Sequence, residues 1–221
     1  MVDEKSKQFI PICRILKAVD KYSKKEWKLI KENPPEEYKE TIKIHNFLIA
    51  SKPPLRSERL LESAHESIRN PYIFLEDPWF YLPPLTGDDL NFVPILHIDC
   101  DFRENPTLIS YRIGMIHIKD VDTNPIPECF GIRYEIGVPG SSHAYCHSQI
   151  TLNPFVLGGP PLPSLPLYLP EQTPCFPLLA RCPVSLLLAV LVSLYGRIKG
   201  HEIISDIELA QEYTDLINQV F

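Results

Sequence analysis

No named catalytic motif occurs anywhere in this chain of 221 residues. The six cysteines form no Cys-x-x-Cys pair, and the opening "MVDEKSKQFI" has no apolar signal-peptide core. Free thiols in a reducing cytoplasm are therefore expected, and the cysteine spacing argues against a zinc site. Glycine is scarce, with 9 residues against 23 prolines, which predicts stiff loops. Long apolar runs are also missing. The longest, "PVSLLLAVLVSLYG" at 183–196, is 14 residues, too short to cross a hydrocarbon layer of about 30 Å as a helix. It reads as a buried core helix, so no membrane partner is expected.

What is present suits one sizeable soluble domain, with 44% apolar and 23% charged residues. The net charge of −6 hides an asymmetry. Residues 1–59 hold 14 Lys/Arg against 9 Asp/Glu, or +5, and the remainder holds 8 against 19, or −11. An acidic body with a basic leader excludes indiscriminate nucleic-acid binding but allows a local basic surface.

Helical spacing governs residues 1–70, a basic N-terminal segment. "FIPICRILKAVDKYSKKEWKLIKEN" carries Ile12, Ile15, Leu16 and Val19 on one side, with Ser23 placed to cap a second helix. "PPEEYKETIKIHNFLIASK" opens with prolines and acids, and "SERLLESAHESIRN" has Ser57 as its N-cap. Within the body, 71–221, the period changes to two between about Trp79 and Leu152. "FVPILHIDCDF", "YRIGMIHIKD", "CFGIRYEIGV" and "HAYCHSQITL" are four strands with short connectors, hence an antiparallel sheet. Nine prolines between 153 and 183 predict an extended crossing segment, followed by helices near 183–197 and 205–220. The expected fold is α+β: N-terminal helices, a central antiparallel sheet of about four strands, the proline-rich crossing and C-terminal helices, together in one compact domain.

Strand alternation separates an apolar face from an ionisable one. Arg133 and Glu135 oppose Ile132, Tyr134 and Ile136, while His143 and His147 alternate with Cys146. His97, Asp99 and Asp101 alternate with Leu96, Ile98 and Cys100. If the strands are neighbours, these ionisable groups share one side. Histidines exchange protons near neutrality and an arginine holds phosphate bidentately, so His143, His147, Arg133 and Glu135 form a candidate catalytic set. His97, Asp99 and Asp101 are candidate ligands for a divalent metal. Metal-free acid–base cleavage of RNA needs only the first set. Cys146 is read as packed, His117 as structural, and His45, His65 and His201 as without special role.

"RYE" followed by "HAYCH" resembles small bacterial families found beside toxin–antitoxin and phage-defence genes, some with RelE-type toxins among their relatives. In those families an Arg-aromatic-Asp is followed by a histidine cluster. Glu135 stands here for the aspartate, and the histidines are four apart. The resemblance extends over residues 90–197 and includes the proline-then-helix ending "PCFPLLARCPVSLLLAVLVSLYG". It implies a component of a toxin or anti-phage system, acting on nucleic acid in the cytoplasm.

Arg14, Lys17, Lys21, Lys24 or Lys25, Lys28 and Lys31 recur every three or four residues. On a continuous helix they form a positive stripe, matched to nucleic acid or to a larger protein partner. A non-catalytic interaction subunit that docks through this stripe is therefore the alternative. A ubiquitin-conjugating-like module using a cysteine is a third reading, opposed by the lack of a His-Pro-Asn before a nucleophile.

Overall fold

The computed structural model describes residues 4–51, 79–85, 92–101, 108–136, 146–151, 175–177, 182–205 and 215. The helix expected at 57–70, and most of the helix expected at 205–220 and of the proline-rich crossing, lie outside them. Two helices, α1 (Glu4–Glu32) and α2 (Lys39–Ser51), are joined by a single 3-10 turn at Glu36–Tyr38. Six strands follow: β1 (Trp79–Tyr81), β2 (Val93–Asp101), β3 (Leu108–Lys119), β4 (Ile126–Ile136), β5 (Cys146–Thr151) and β6 (Cys175–Pro177). The chain then enters α3, Pro183–Ile204. The strands pair in sequence order, all antiparallel. The four expected strands are β2 to β5, and two three-residue strands extend the sheet at its edges.

Helices cover both faces of this sheet. On the first, Phe80, Leu96, Ile98, Tyr111, Ile113, Tyr134 and Ile136 pack with Ile12, Ile15, Leu16 and Val19 of α1. Val184, Leu186, Leu187, Leu188, Val190 and Leu191 of α3 complete that core. A fully buried aliphatic side chain contributes about 1.5–3 kcal/mol, so these layers dominate the stability. Three tyrosines anchor α3: the Tyr111 hydroxyl donates to Pro183 O at 3.1 Å, Tyr195 donates to Pro83 O at 2.8 Å, and the Tyr134 and Ser193 hydroxyls lie 2.7 Å apart.

On the second face, Tyr81, Val93, Ile95, Ile116 and Ile118 pack with Trp27, Ile44 and Leu48. α1 thus serves both cores, its first half on one face and Trp27 on the other, past the edge strand β1. The Trp27 indole N–H donates to Leu82 O at 2.9 Å and fixes that crossing.

Two details correct the sequence reading. α1 continues through Ser23, which caps nothing: the residue is 1% exposed and lies one turn from Val19 and from Trp27 on the buried side. Extending an existing helix costs less than nucleating a new one, and the apolar stripe runs through this point. The second sheet face is also not polar throughout, because α2 buries its Val93/Ile95/Ile116/Ile118 end.

α3 is long and apolar enough, by length and composition, to cross a membrane, but half of its apolar window is buried in the protein. It begins behind Cys182, whose backbone N–H donates to Ser185 Oγ at 3.0 Å, while Ser185 N–H donates to Cys182 Sγ at 3.5 Å. Gly196 interrupts it with φ 70° and ψ 176°, a region open to glycine only. Nothing lies within 4 Å of a Cβ built there, so any penalty comes from the backbone. Gly196→Ala is expected to lower stability by about 1–3 kcal/mol in urea unfolding. An unchanged midpoint would mean that the kink relaxes without cost.

Candidate functional site

Cross-strand pairing assembles the ionisable face. His97 lies opposite Arg112, Arg112 opposite Arg133, and Arg133 opposite Gln149, in one row across β2 to β5. The next row on the same face is Asp99, Ser110, Glu135 and His147. Directly paired residues in an antiparallel ladder share a face, and so do residues two apart on one strand. The structure therefore brings Arg133, Glu135, His147, His97, Asp99 and Asp101 to one side of the sheet, as the alternation predicts. His143 lies outside the described residues, as do the side chains of His147, Asp99 and Asp101.

Arg133 Nε lies 3.0 Å from Glu135 Oε1, with the two side chains 35% and 23% exposed. This half-buried ion pair holds the guanidinium above the strand. Beyond it, Gly114 and Gly131 are paired and buried, so on β3 and β4 this face carries no side chain between the polar rows and the apolar core under α2. Among the described residues, no group of three His, Cys, Asp or Glu converges to hold a metal ion. The proposed ligands Asp99 and Asp101 are placed by register alone, two and four residues beyond His97 on β2.

Arg112 was not legible as part of this set. Its strand carries Tyr111, Ile113, Met115 and His117 on one side and Arg112, Gly114, Ile116 and Ile118 on the other. Neither side looks polar, because β3 is covered on both faces. Pairing with Arg133 is what places Arg112 in the site. His117 packs its ring against Phe92, with centroids 5.7 Å apart, consistent with a structural role.

The basic stripe survives as a continuous surface. Arg14, Lys17, Lys21, Lys24, Lys25 and Lys28 are all exposed along α1. Lys24 pairs with Asp20 at 2.7 Å and Lys28 with Glu32 at 3.6 Å, which partly neutralises its second half. The first half of α1 packs on the sheet face opposite to Arg112 and Arg133. The first half of the stripe and the ionisable face are thus separate surfaces.

His45, set aside on sequence grounds, is strongly perturbed. Its ring stacks on Trp27 at 3.8 Å and 9°, and meets the Tyr81 ring edge-on at 4.7 Å. Burial, with the Lys31 charge adding, pushes its pKa down to about 3. A histidine on a helix gives no signal of this from its neighbours in sequence, since Trp27 and Tyr81 come from other elements. The two free cysteines whose side chains are described do not look nucleophilic: burial pushes the Cys13 thiol up to about 12, and Cys182 caps α3. No protein-family model, curated protein or solved structure matches the chain.

Proposed function

We propose that the ionisable end of the second sheet face binds the phosphate backbone of nucleic acid, and that the protein is a cytoplasmic component of a bacterial toxin or anti-phage defence system. The observation that carries this reading is the direct pairing of Arg112 with Arg133 across β3 and β4, with His97 beside Arg112. Like charges directly opposite on one face are destabilising, and a bound phosphate turns that cost into a binding contribution. A histidine opposite Glu135, in the position of His147, adds an acid–base group near neutral pH. The set supports phosphodiester cleavage with Arg133 as the phosphate clamp, Glu135 and His147 exchanging protons, and His143 as a second histidine. A divalent metal on His97, Asp99 and Asp101 is the variant in which the cleavage is metal-assisted.

Incubation with total RNA and with plasmid DNA, with Mg²⁺ or with EDTA, tests this directly. Cleavage is expected, and it should be lost in the His143→Ala/His147→Ala variant while its melting temperature stays near that of the parent. Cleavage that survives the double substitution, or its absence under all conditions, removes the nuclease reading.

A second reading, a non-catalytic subunit of a larger defence complex, is favoured by the unbroken exposed stripe on α1. Charge reversal at Lys17, Lys21 and Lys28 would then disrupt the complex while the histidine changes do nothing.

A further inference from the structure

A cavity of about 390 Å³ opens between the second half of α1, α2 and β1, at the end of the second sheet face away from Arg112 and Arg133. Its volume is in the range that takes small molecules. Trp27, His45 and Tyr81 supply aromatic wall, and Ile49 adds aliphatic surface. Lys24, Lys28 and Lys31 of the basic stripe also line it, with Asp20 and Glu32. Three lysines against two carboxylates leave the lining with one net positive charge, which favours an anionic ligand.

The polar atoms in the wall decide what kind of anion. Ser23 Oγ and His45 Nδ1 are buried and have no hydrogen-bond partner among the described residues, and both residues line the cavity. Ser23 is 1% exposed and His45 is 3% exposed. A buried polar atom without a partner costs about 1–3 kcal/mol, so two in one wall indicate a ligand that supplies the missing bonds. A fatty acyl chain would leave both unsatisfied. A flat heteroaromatic ring with donors and acceptors on its edge would satisfy them and lie against the aromatic wall.

We propose that the cavity between α1 and α2 binds a nucleoside monophosphate, with its base against Trp27, His45 and Tyr81 and its phosphate held by Lys24, Lys28 and Lys31. Ser23 and His45 bond the base edge, and the lysines reach the phosphate from the mouth. Lys31 is the partly buried lysine of the three, and desolvation lowers its pKa. A phosphate beside it would offset that desolvation. The part of the stripe that looked like a nucleic-acid surface thereby acquires a smaller ligand. This inference is independent of the sheet-face reading, since neither Arg112 nor Arg133 lines the cavity.

Isothermal titration of the full chain with AMP, GMP, CMP and UMP, and with adenosine and inorganic phosphate as half-ligands, tests it. One monophosphate is expected to bind at 1:1 with a Kd below about 100 µM, and its nucleoside about tenfold more weakly. Ser23→Ala should weaken binding about five- to tenfold while leaving the melting temperature of the empty protein unchanged or raised, because it removes an unsatisfied hydroxyl. Lys31→Gln should weaken the nucleotide but not adenosine, and Arg133→Gln should leave AMP affinity unaltered. The proposal is overturned if no monophosphate saturates the protein at millimolar concentration, or if laurate fills the cavity instead. It is equally overturned if binding survives both cavity variants or is lost with Arg133→Gln.

Discussion

Replacing His45 with phenylalanine should remove a large part of the protein's loss of stability in mild acid. The imidazole is buried against Trp27 and Tyr81, and its pKa in the folded protein is about 3. In the unfolded chain a histidine titrates near 6.5. Between these values the unfolded state binds a proton that the folded state refuses, so stability falls as pH falls and is level above about 6.5. The slope approaches about 1.4 kcal/mol per pH unit, which makes about 2–3 kcal/mol between pH 7 and pH 4.5. Carboxylates contribute to the acid limb in both proteins and cancel in the difference. Phenylalanine keeps a ring on Trp27 and cannot take the proton. Urea midpoints at the two pH values, for parent and variant, read the effect; equal acid losses would mean that the folded protein accommodates a protonated His45.

That histidine also marks the limit of what the sequence discloses. Four strands, their antiparallel pairing and the shared side of Arg133, Glu135, His147 and His97 follow from period-two alternation and short connectors, because those are local signals. The core helix at 183–196 follows from its uninterrupted apolar run, and its kink lies at the glycine that ends the run. The edge strands at 79–81 and 175–177 have only three residues each, too few for alternation to register. The burial of the Val93/Ile95 end of the second face depends on where α2 docks, a long-range fact. Ser23 illustrates the same point from the other side. By composition it is a cap, yet it lies mid-helix in a cavity wall that His45 and Ile49 of α2 and Tyr81 of β1 complete. Sites assembled from three elements leave no spacing to read.

The Arg112→Gln/Arg133→Gln pair carries the largest functional expectation, because the two residues face each other across adjacent strands and would act as one clamp. Each guanidinium bonded to a phosphate contributes about 1.5–3 kcal/mol, so the double variant should bind RNA or DNA weaker by about a hundredfold or more. Glutamine keeps a polar, though shorter, side chain while removing the charge, and the opposed pair loses its mutual repulsion. Arg133 lies 3.0 Å from Glu135, and its loss removes that ion pair, which a Glu135→Gln background controls for. The salt dependence supplies a second readout. Two phosphate contacts removed should flatten the slope of log affinity against log salt by about 1.4–1.8, the lower figure for single strands. Charge reversal at Lys17 and Lys21, in the half of α1 that packs on the opposite face of the sheet, should change neither quantity if the sheet face is the nucleic-acid site. A salt slope that responds to Lys17, Lys21 and Lys28 but not to Arg112 and Arg133 would move the binding surface to α1 and leave the paired arginines a structural role.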